Sequence, residues 1–506
     1  RNQMNVALLG HVDAGKSTLA RRLGQLPSTA AFNHARGREN TEDLGYNSLL
    51  VNGERVCLID CPGHAALIKA VVAASAVIDA AIVVVNATKG IEPQTAEHLL
   101  LASLFCSPDA VVVVLSKVDI ATKEQREAAE KSVRRALKTL GLRQDAPMLP
   151  VCLVDESGST AIDDSVLAPI QQELSVLLER KKARVVDPAE IRKEGPLLLA
   201  LDHCFAVKGK GTVLTGSVLE GRVRLGDDVE IPHLNERRRV RELESWKQKR
   251  NEVSSGERAA LLVAALPSAP SRCLAASPGT LSAVKEARAS VEPIAFFRLN
   301  VKGGSKIHIS CGYEMEMATA RFGRFDEQSG AYELLSEMSP LCSAFLSFSS
   351  PLFSRVGSTY VASRLELQAR GCRFAFHGRL EESLQSPPLF FSRKVREGDV
   401  ERVHDSRTLI CRGLFKKETN QDVFRNMKVL LETGEIGVVE GPFGASGKAR
   451  IAMTQPLGDA TLERCRDVSG PPVKVRIYMK KFLDEKKTLT SYLPTQEERK
   501  KHEGNE

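Results

Sequence analysis

Up to about residue 185 the apolar positions come in short unbroken blocks. Asn5-Val6-Ala7-Leu8-Leu9, Val56-Cys57-Leu58-Ile59, Ala80-Ala81-Ile82-Val83-Val84-Val85 and Val111-Val112-Val113-Val114-Leu115 are each closed by a polar or glycine-bearing turn. Between them lie helical stretches such as Glu97-His98-Leu99-Leu100-Leu101-Ala102-Ser103-Leu104 and Gln171-Gln172-Glu173-Leu174-Ser175-Val176-Leu177-Leu178. Unbroken runs predict strands buried on both faces, and their alternation with helices predicts a parallel sheet covered on both sides, over 1–190. Val51-Asn52-Gly53-Glu54 predicts a hairpin into the strand that ends at Asp60. Helical periodicity stops near Lys182, and the Pro- and Glu-containing stretch 185–195 predicts a boundary. Beyond Leu197 the rhythm changes to short strands with glycine turns, in 197–205, 209–218 and 226–231, which predicts an antiparallel barrel over 196–285.

The bulk numbers narrow the class. With 506 residues the chain exceeds one hydrophobic core, and about three to five domains are expected. No apolar run reaches the roughly 18–20 residues that span a bilayer, so no membrane association is expected. The chain enters a strand almost at once, and no signal or transit segment is expected. Eleven cysteines are scattered singly, without paired zinc spacing. Cys57 and Cys61, the nearest pair, read as reduced thiols, which predicts a cytoplasmic protein. The net charge of +8 is compatible with a polyanionic partner. The charged segment 491–506 is expected to be disordered.

The chemistry-bearing residues fall at strand ends. Gly10-His11-Val12-Asp13-Ala14-Gly15-Lys16-Ser17 follows the first strand, and Ser17-Thr18 opens a helix. This is a phosphate loop: glycines let backbone N–H groups close round a phosphate chain, Lys16 supplies a point charge, and the Ser17 hydroxyl suits Mg²⁺. Asp60-Cys61-Pro62-Gly63-His64 adds a carboxylate for the metal, a glycine whose N–H approaches a γ-phosphate, and an imidazole. In Ser116-Lys117-Val118-Asp119 the Asp119 carboxylate accepts both the ring N–H and the exocyclic amine of guanine while the Lys117 stem packs on the base. GTP is thereby favoured over ATP.

These three motifs resemble those of the translational GTPases of the elongation factor Tu family. The resemblance implies that His64 orients the attacking water and Asp13 supports the phosphate loop. It also implies that Thr41, after Arg38-Glu39-Asn40, is the Mg²⁺-binding threonine of the first switch. Two positions depart from the pattern: the base-reading motif starts with Ser116 where the family has Asn, a shorter side chain expected to weaken loop anchoring, and Arg38-Glu39-Asn40-Thr41 replaces the usual Arg-Gly-Ile-Thr. Cys152-Leu153-Val154 is likewise a poor match to the fifth guanine element.

The downstream chain is more specific. Leu201-Asp202-His203-Cys204-Phe205, Gly209-Lys210-Gly211-Thr212-Val213 and Leu225-Gly226-Asp227-Asp228-Val229-Glu230-Ile231-Pro232 resemble the second domain of the eukaryotic selenocysteine-specific elongation factors. Phe296-Phe297-Arg298-Leu299 and Ser305-Lys306-Ile307-His308-Ile309 resemble their third domain, placed at 288–398, with 325–370 matching poorly. Gly413-Leu414-Phe415-Lys416-Lys417 and Gly441-Pro442-Phe443-Gly444 resemble their C-terminal domain, placed at 400–490. The resemblance implies a parallel-sheet GTPase domain followed by three β-barrel-like domains, with GTP/GDP and Mg²⁺ bound. It also implies selenocysteyl-tRNA, the ribosome, and the selenocysteine insertion element RNA with its binding protein as partners of a monomer.

It points further to Asp202, His203 and Arg258 as the selenocysteine pocket. A selenolate is anionic at neutral pH, so Arg258 and a protonated His203 suit it, with Asp202 orienting the ring. On the residues alone, Asp202 and His203 read rather as a strand start closing a turn. Clusters at Lys416-Lys417, Lys448-Ala449-Arg450, Lys474-Val475-Arg476 and Lys480-Lys481, near Phe415, Phe443 and Tyr478, are expected to meet RNA. Arg237-Arg238-Arg239-Val240-Arg241 reads as a guarded barrel edge. Two alternatives stay open: a general aminoacyl-tRNA-binding translational GTPase, and a weakly hydrolysing tRNA-binding protein.

Overall fold

The structure, a computed structural model, describes residues 3–24, 45–63, 71–72, 77–153, 164–184, 195–268, 273–365, 372–444, 446–467, 470–484, 486, 488–496 and 498–499. Two residues singled out from the sequence, His64 and Thr41, lie outside these residues. By packing, the chain divides into two compact units. The first comprises 1–299, 305–320 and 346–383, and the second 300–304, 321–345 and 384–506.

In the first unit, six strands form the predicted sheet: β1 (Met4–Leu9), β2 (Gly45–Val51), β3 (Glu54–Asp60), β4 (Ala80–Asn86), β5 (Val111–Ser116) and β6 (Met148–Val151), in the order β2-β3-β1-β4-β5-β6. All neighbours are parallel except β2 and β3, which are joined by a two-residue hairpin with Asn52 and Gly53 at positive φ. Asn-Gly is the pair that takes this turn with least strain. Every residue of β1, β4 and β5 is buried. At roughly 1.5–3 kcal/mol per buried Val or Leu, these strands form the adhesive of the domain. Helices Lys16–Leu23, Pro93–Phe105, Lys123–Thr139 and Ala168–Arg184 accompany the sheet, and Thr122 with Gln125 closes a capping box at the third. The parallel register aligns Leu8 with Asp60, Asn86 with Ser116 and Ser116 with Val151, so the loops that carry chemistry leave one edge. That edge is where an open α/β sheet takes its ligand.

The antiparallel strands expected beyond Leu197 are also present. Their eight-stranded sheet runs Glu236–Arg239, Asp228–Ile231, Cys273–Ala276, Leu198–Val207, Gly211–Glu220, Arg258–Val263, Glu242–Ser245 and Gln248–Lys249. The arginine-rich strand Glu236–Arg239 lies at its edge, as expected. Thr359–Ser363, Ser305–Cys311 and Phe374–Ser383 belong to a further antiparallel group in this unit.

The second unit is built on a closed barrel of six strands, Phe390–Asp405, Thr408–Arg412, Lys448–Met453, Ile436–Phe443, Lys428–Leu431 and Lys474–Phe482, the last pairing back onto the first. Three expectations are corrected here. The boundary placed at 398–400 falls inside one continuous strand, Phe390–Asp405, because that strand serves the barrel along 391–399 through Lys474–Phe482 and beyond it through Thr408–Arg412. Residues 321–345 pack with this unit, where Tyr332, Phe345 and Phe390 stack with centroids 4.7 and 4.9 Å apart.

The third correction concerns the C-terminal segment, whose described part is ordered. Ser491 pairs with Met479, Tyr492 packs on Tyr478 at 6.1 Å, and Glu498 binds Arg393. Among the described residues of this segment, Glu498 thus places its charge in an ion pair with Arg393. Of the three aromatics expected to stack on RNA, Phe415 and Tyr478 are buried in the barrel, and only Phe443 is partly exposed, with Arg402 and Arg450 at 5.1 and 5.6 Å from its ring centre.

Candidate functional site

The loop after β1 turns sharply. Gly10, Asp13 and Gly15 all sit at positive φ. A Cβ on Gly10 would lie 2.2 Å from the Val84 carbonyl oxygen, so only glycine allows the loop to cross β4 so closely. Lys16 is 5 % exposed, and its Nζ donates to the His11 carbonyl at 2.6 Å. Burial lowers its pKa, opposed by the nearby Asp60 carboxylate. A buried ammonium at the start of a helix suits an anion. Gly63 closes against this point: a Cβ there would meet Lys16 Nζ at 2.5 Å and the Val12 nitrogen at 2.7 Å. Asp60, 7 % exposed, ends β3 next to the β1 strand that feeds Ser17 and Thr18 into the first helix. Asp13 is exposed.

On the base side, Ser116 makes an anchor with its shorter side chain. Its Oγ donates to the Ala14 carbonyl at 2.7 Å and approaches the Val85 carbonyl at 3.3 Å, so the hydroxyl ties the third motif to the phosphate loop directly. Lys117 takes positive φ, and Asp119 is exposed at the rim. In place of a matching fifth element, Leu153 lies buried, 3.2 Å from where a Gly15 Cβ would stand. Ser116→Ala would leave the buried Ala14 carbonyl without this donor, a cost of about 1–3 kcal/mol. GTP and GDP affinity are both expected to fall about tenfold, read as dissociation rates of a fluorescent nucleotide.

The three residues assigned to the second barrel come together. Between Leu201, paired with Gly216, and His203, paired with Thr215, the register slips, and Asp202 is the extra residue. A bulge re-aims its side chain. Arg258 pairs with Ser217 on the other side of the same strand. Arg258 Nη2 reaches Asp202 Oδ2 at 2.7 Å, while Thr215 Oγ1 donates to Asp202 Oδ1 at 2.8 Å and His203 Nδ1 lies 3.1 Å from that oxygen. Burial alone would raise the Asp202 pKa, but Arg258 and these hydrogen bonds hold it down at about 2. With Asp202 ionised, His203 Nδ1 must carry the proton of their bond. Asp202 and Arg258 are buried, whereas the His203 side chain is 40 % exposed.

Sequence reasoning missed two partners. Tyr46, at the start of β2, lies under the Arg258 guanidinium at 3.6 Å from ring centre to Cζ, and its hydroxyl meets that of Tyr313 at 3.1 Å. His98 is fully buried, and its Nδ1 accepts the Gly10 N–H at 2.8 Å. The signal for His98 was a histidine set among helical leucines; for Tyr46 no local pattern existed.

Fold and site together define a P-loop GTPase carrying β-barrel domains. Residues 1–206 match the model of the elongation factor Tu GTP binding domain, and residues 389–486 that of the eEFSec C-terminal RIFT domain. The selenocysteine-specific elongation factor of Mus musculus is 33 % identical over 521 aligned residues, covering 89 % of this chain and 88 % of that protein. That of Methanocaldococcus jannaschii is 29 % identical over 461 residues, covering 88 % and 93 %. The chain belongs to the selenocysteine-specific elongation factor family. Its fold is similar to that of translation elongation factor SelB from Methanococcus maripaludis, solved with the GTP analogue GppNHp, with a TM-score of 0.74 at 24 % identity, covering 95 % of this chain and 98 % of that one.

Proposed function

We propose that this GTPase carries selenocysteyl-tRNA to the ribosome at recoded UGA codons in the cytoplasm, acting as a monomer. The observation that carries the reading is the Asp202–His203–Arg258 cluster, in which one carboxylate holds a buried guanidinium and a half-exposed imidazole. With the ring protonated at both nitrogens, the cluster has a net charge of +1, and Nε2–H is the donor left for a selenolate. A neutral seryl hydroxyl offers no charge for it to meet.

The oxygen-only pair Ser17 and Asp60, on adjacent elements, fits the hard-cation preference of Mg²⁺, which would neutralise phosphate charge beside Lys16. Lys16 and Gly63 would grip the terminal phosphate, Asp119 and Lys117 the guanine, and Ser116 would hold the two loops in register. Asp13 would support the phosphate loop. Thr41 and His64 keep the roles of metal-binding switch residue and water-orienting residue. Around the fourth domain, partly exposed Phe443 with Arg402 and Arg450 suits contacts with the selenocysteine insertion element RNA or its binding protein.

Filter binding in the GTP state tests the reading. The chain is expected to bind selenocysteyl-tRNA at least about tenfold more tightly than seryl-tRNA, the difference of one charge-assisted hydrogen bond, and His203→Ala to bind the two alike. Equal binding by the unaltered chain would favour a general aminoacyl-tRNA carrier.

A further inference from the structure

Two neighbouring residues of the helix Pro93–Phe105 reach opposite ways. His98 is buried, and its Nδ1 accepts the N–H of Gly10, the first residue of the phosphate loop, at 2.8 Å. Burial, reinforced by the charge of Lys16, pushes its pKa down to about 3, so the ring is neutral and keeps the lone pair this bond requires. At the helix start, Glu92 also lies 3.4 Å from His11 Nε2 in the same loop.

Glu97 turns toward the β-rich segment that follows the second barrel. Arg373 Nε reaches Glu97 Oε1 at 2.8 Å and Arg373 Nη2 reaches Oε2 at 2.6 Å, a two-point pair with both side chains about nine-tenths covered. Arg373 is itself fixed, since its carbonyl accepts the Arg364 N–H at 2.9 Å just before the strand Phe374–Ser383. Such a bidentate pair restrains orientation as well as distance. A rotation or slide of the helix that broke it would move His98 away from Gly10, and Gly10 has no slack against Val84.

We propose that Glu97 and Arg373 are positioning residues for the nucleotide: through His98 they hold the phosphate loop in its binding geometry, so the docking of the third β-rich region sets GTP and GDP affinity. By linkage, bound nucleotide strengthens that docking by the same factor. The proposal does not depend on the identity of the tRNA cargo.

The test is stopped-flow dissociation of fluorescent GDP and a non-hydrolysable GTP analogue from the full chain. Glu97→Gln is expected to speed release about five- to tenfold, within the range of typical couplings. Arg373→Lys keeps the charge, loses the two-point geometry and is expected to give a smaller acceleration. The exchanged pair Glu97→Arg with Arg373→Glu is expected to return release to within about twofold of the unaltered chain, since it restores the coupling. In a double-mutant cycle, Glu97→Gln and His98→Phe are expected to be non-additive because they act through one contact. The proposal is overturned if folded Glu97→Gln and Arg373→Lys lower only the melting temperature and release nucleotide at the normal rate. Fully additive effects of Glu97→Gln and His98→Phe overturn it equally.

Discussion

Arg258→Met is expected to cost the second barrel about 3–5 kcal/mol, the usual penalty for leaving one member of a buried ion pair alone. The guanidinium is fully enclosed, bonded to Asp202 at 2.7 Å and covered by Tyr46. Its removal strands a carboxylate that is 5 % exposed. Asp202→Asn added to Arg258→Met removes the stranded charge, so the double variant is expected to be more stable than the single one. The same pair fixes a pH response. In the native chain the Asp202 pKa of about 2 lies below its ordinary 3.8. Stability from ionised Asp202 is therefore complete above about pH 4 and lost as pH falls through about 2. Without Arg258, burial is the dominant influence and raises the Asp202 pKa above its ordinary 3.8, so the sign reverses and the single variant is expected to lose stability as pH rises through about that value. Melting temperatures of the two variants and the native chain, taken from pH 3 to 7, test this directly. Equal melting of single and double variants at pH 7 would show that Asp202 does not need its partner.

How much of this was legible in advance follows the range of the interactions. Continuous apolar runs such as Ala80–Asn86 announce a buried parallel strand because burial on both faces acts on every residue in the run. Asn52-Gly53 announces its turn because positive φ is a property of those two residues alone. The phosphate loop is legible for the same local reason. What escaped was decided by partners distant in sequence. Ser116 looked like a loss beside the family's Asn until its hydroxyl was seen to reach Ala14. Asp202 could open a strand or hold a charge, and a one-residue register slip chose between them. The C-terminal bound of the third domain failed because the long strand Phe390–Asp405 passes through it without any break in pattern. The described part of the C-terminal segment was misread because Glu498 meets Arg393 and Tyr492 meets Tyr478.

The order of the site suggests how its parts communicate. Tyr46 begins the strand that follows residues 25–44, where the sequence places the first switch, and it lies on Arg258 of the second barrel. Asp60 ends the partner strand β3 and is aligned with Gly45. One hairpin thus carries at its two outer ends a contact with the Arg258 cluster and a carboxylate of the phosphate site. On the reading proposed above, a displacement of that edge on nucleotide exchange would be felt at both ends.

Gly63→Ala is the substitution expected to separate GTP from GDP most sharply. The added methyl carbon would stand 2.5 Å from Lys16 Nζ and 2.7 Å from the Val12 nitrogen, well inside van der Waals contact. Lys16 can bend its stem away, but the Val12 backbone is part of the phosphate loop and cannot yield without opening the site. The segment carrying Gly63 must therefore retreat by about an ångström, and misplacement on that scale costs on the order of a hundredfold in rate. Because Gly63 meets the loop at Lys16, the lysine proposed to serve the β- and γ-phosphates, the loss is expected to fall on GTP hydrolysis and GTP affinity. GDP, which on the proposed reading is held by the loop backbone and the Ser116–Asp119 motif, is expected to bind within about threefold of normal, the spread of a perturbation under 1 kcal/mol. Ribosome-stimulated turnover and the two dissociation constants measured on one preparation decide it. Undiminished hydrolysis in the alanine variant would mean that Gly63 does not approach the terminal phosphate at all.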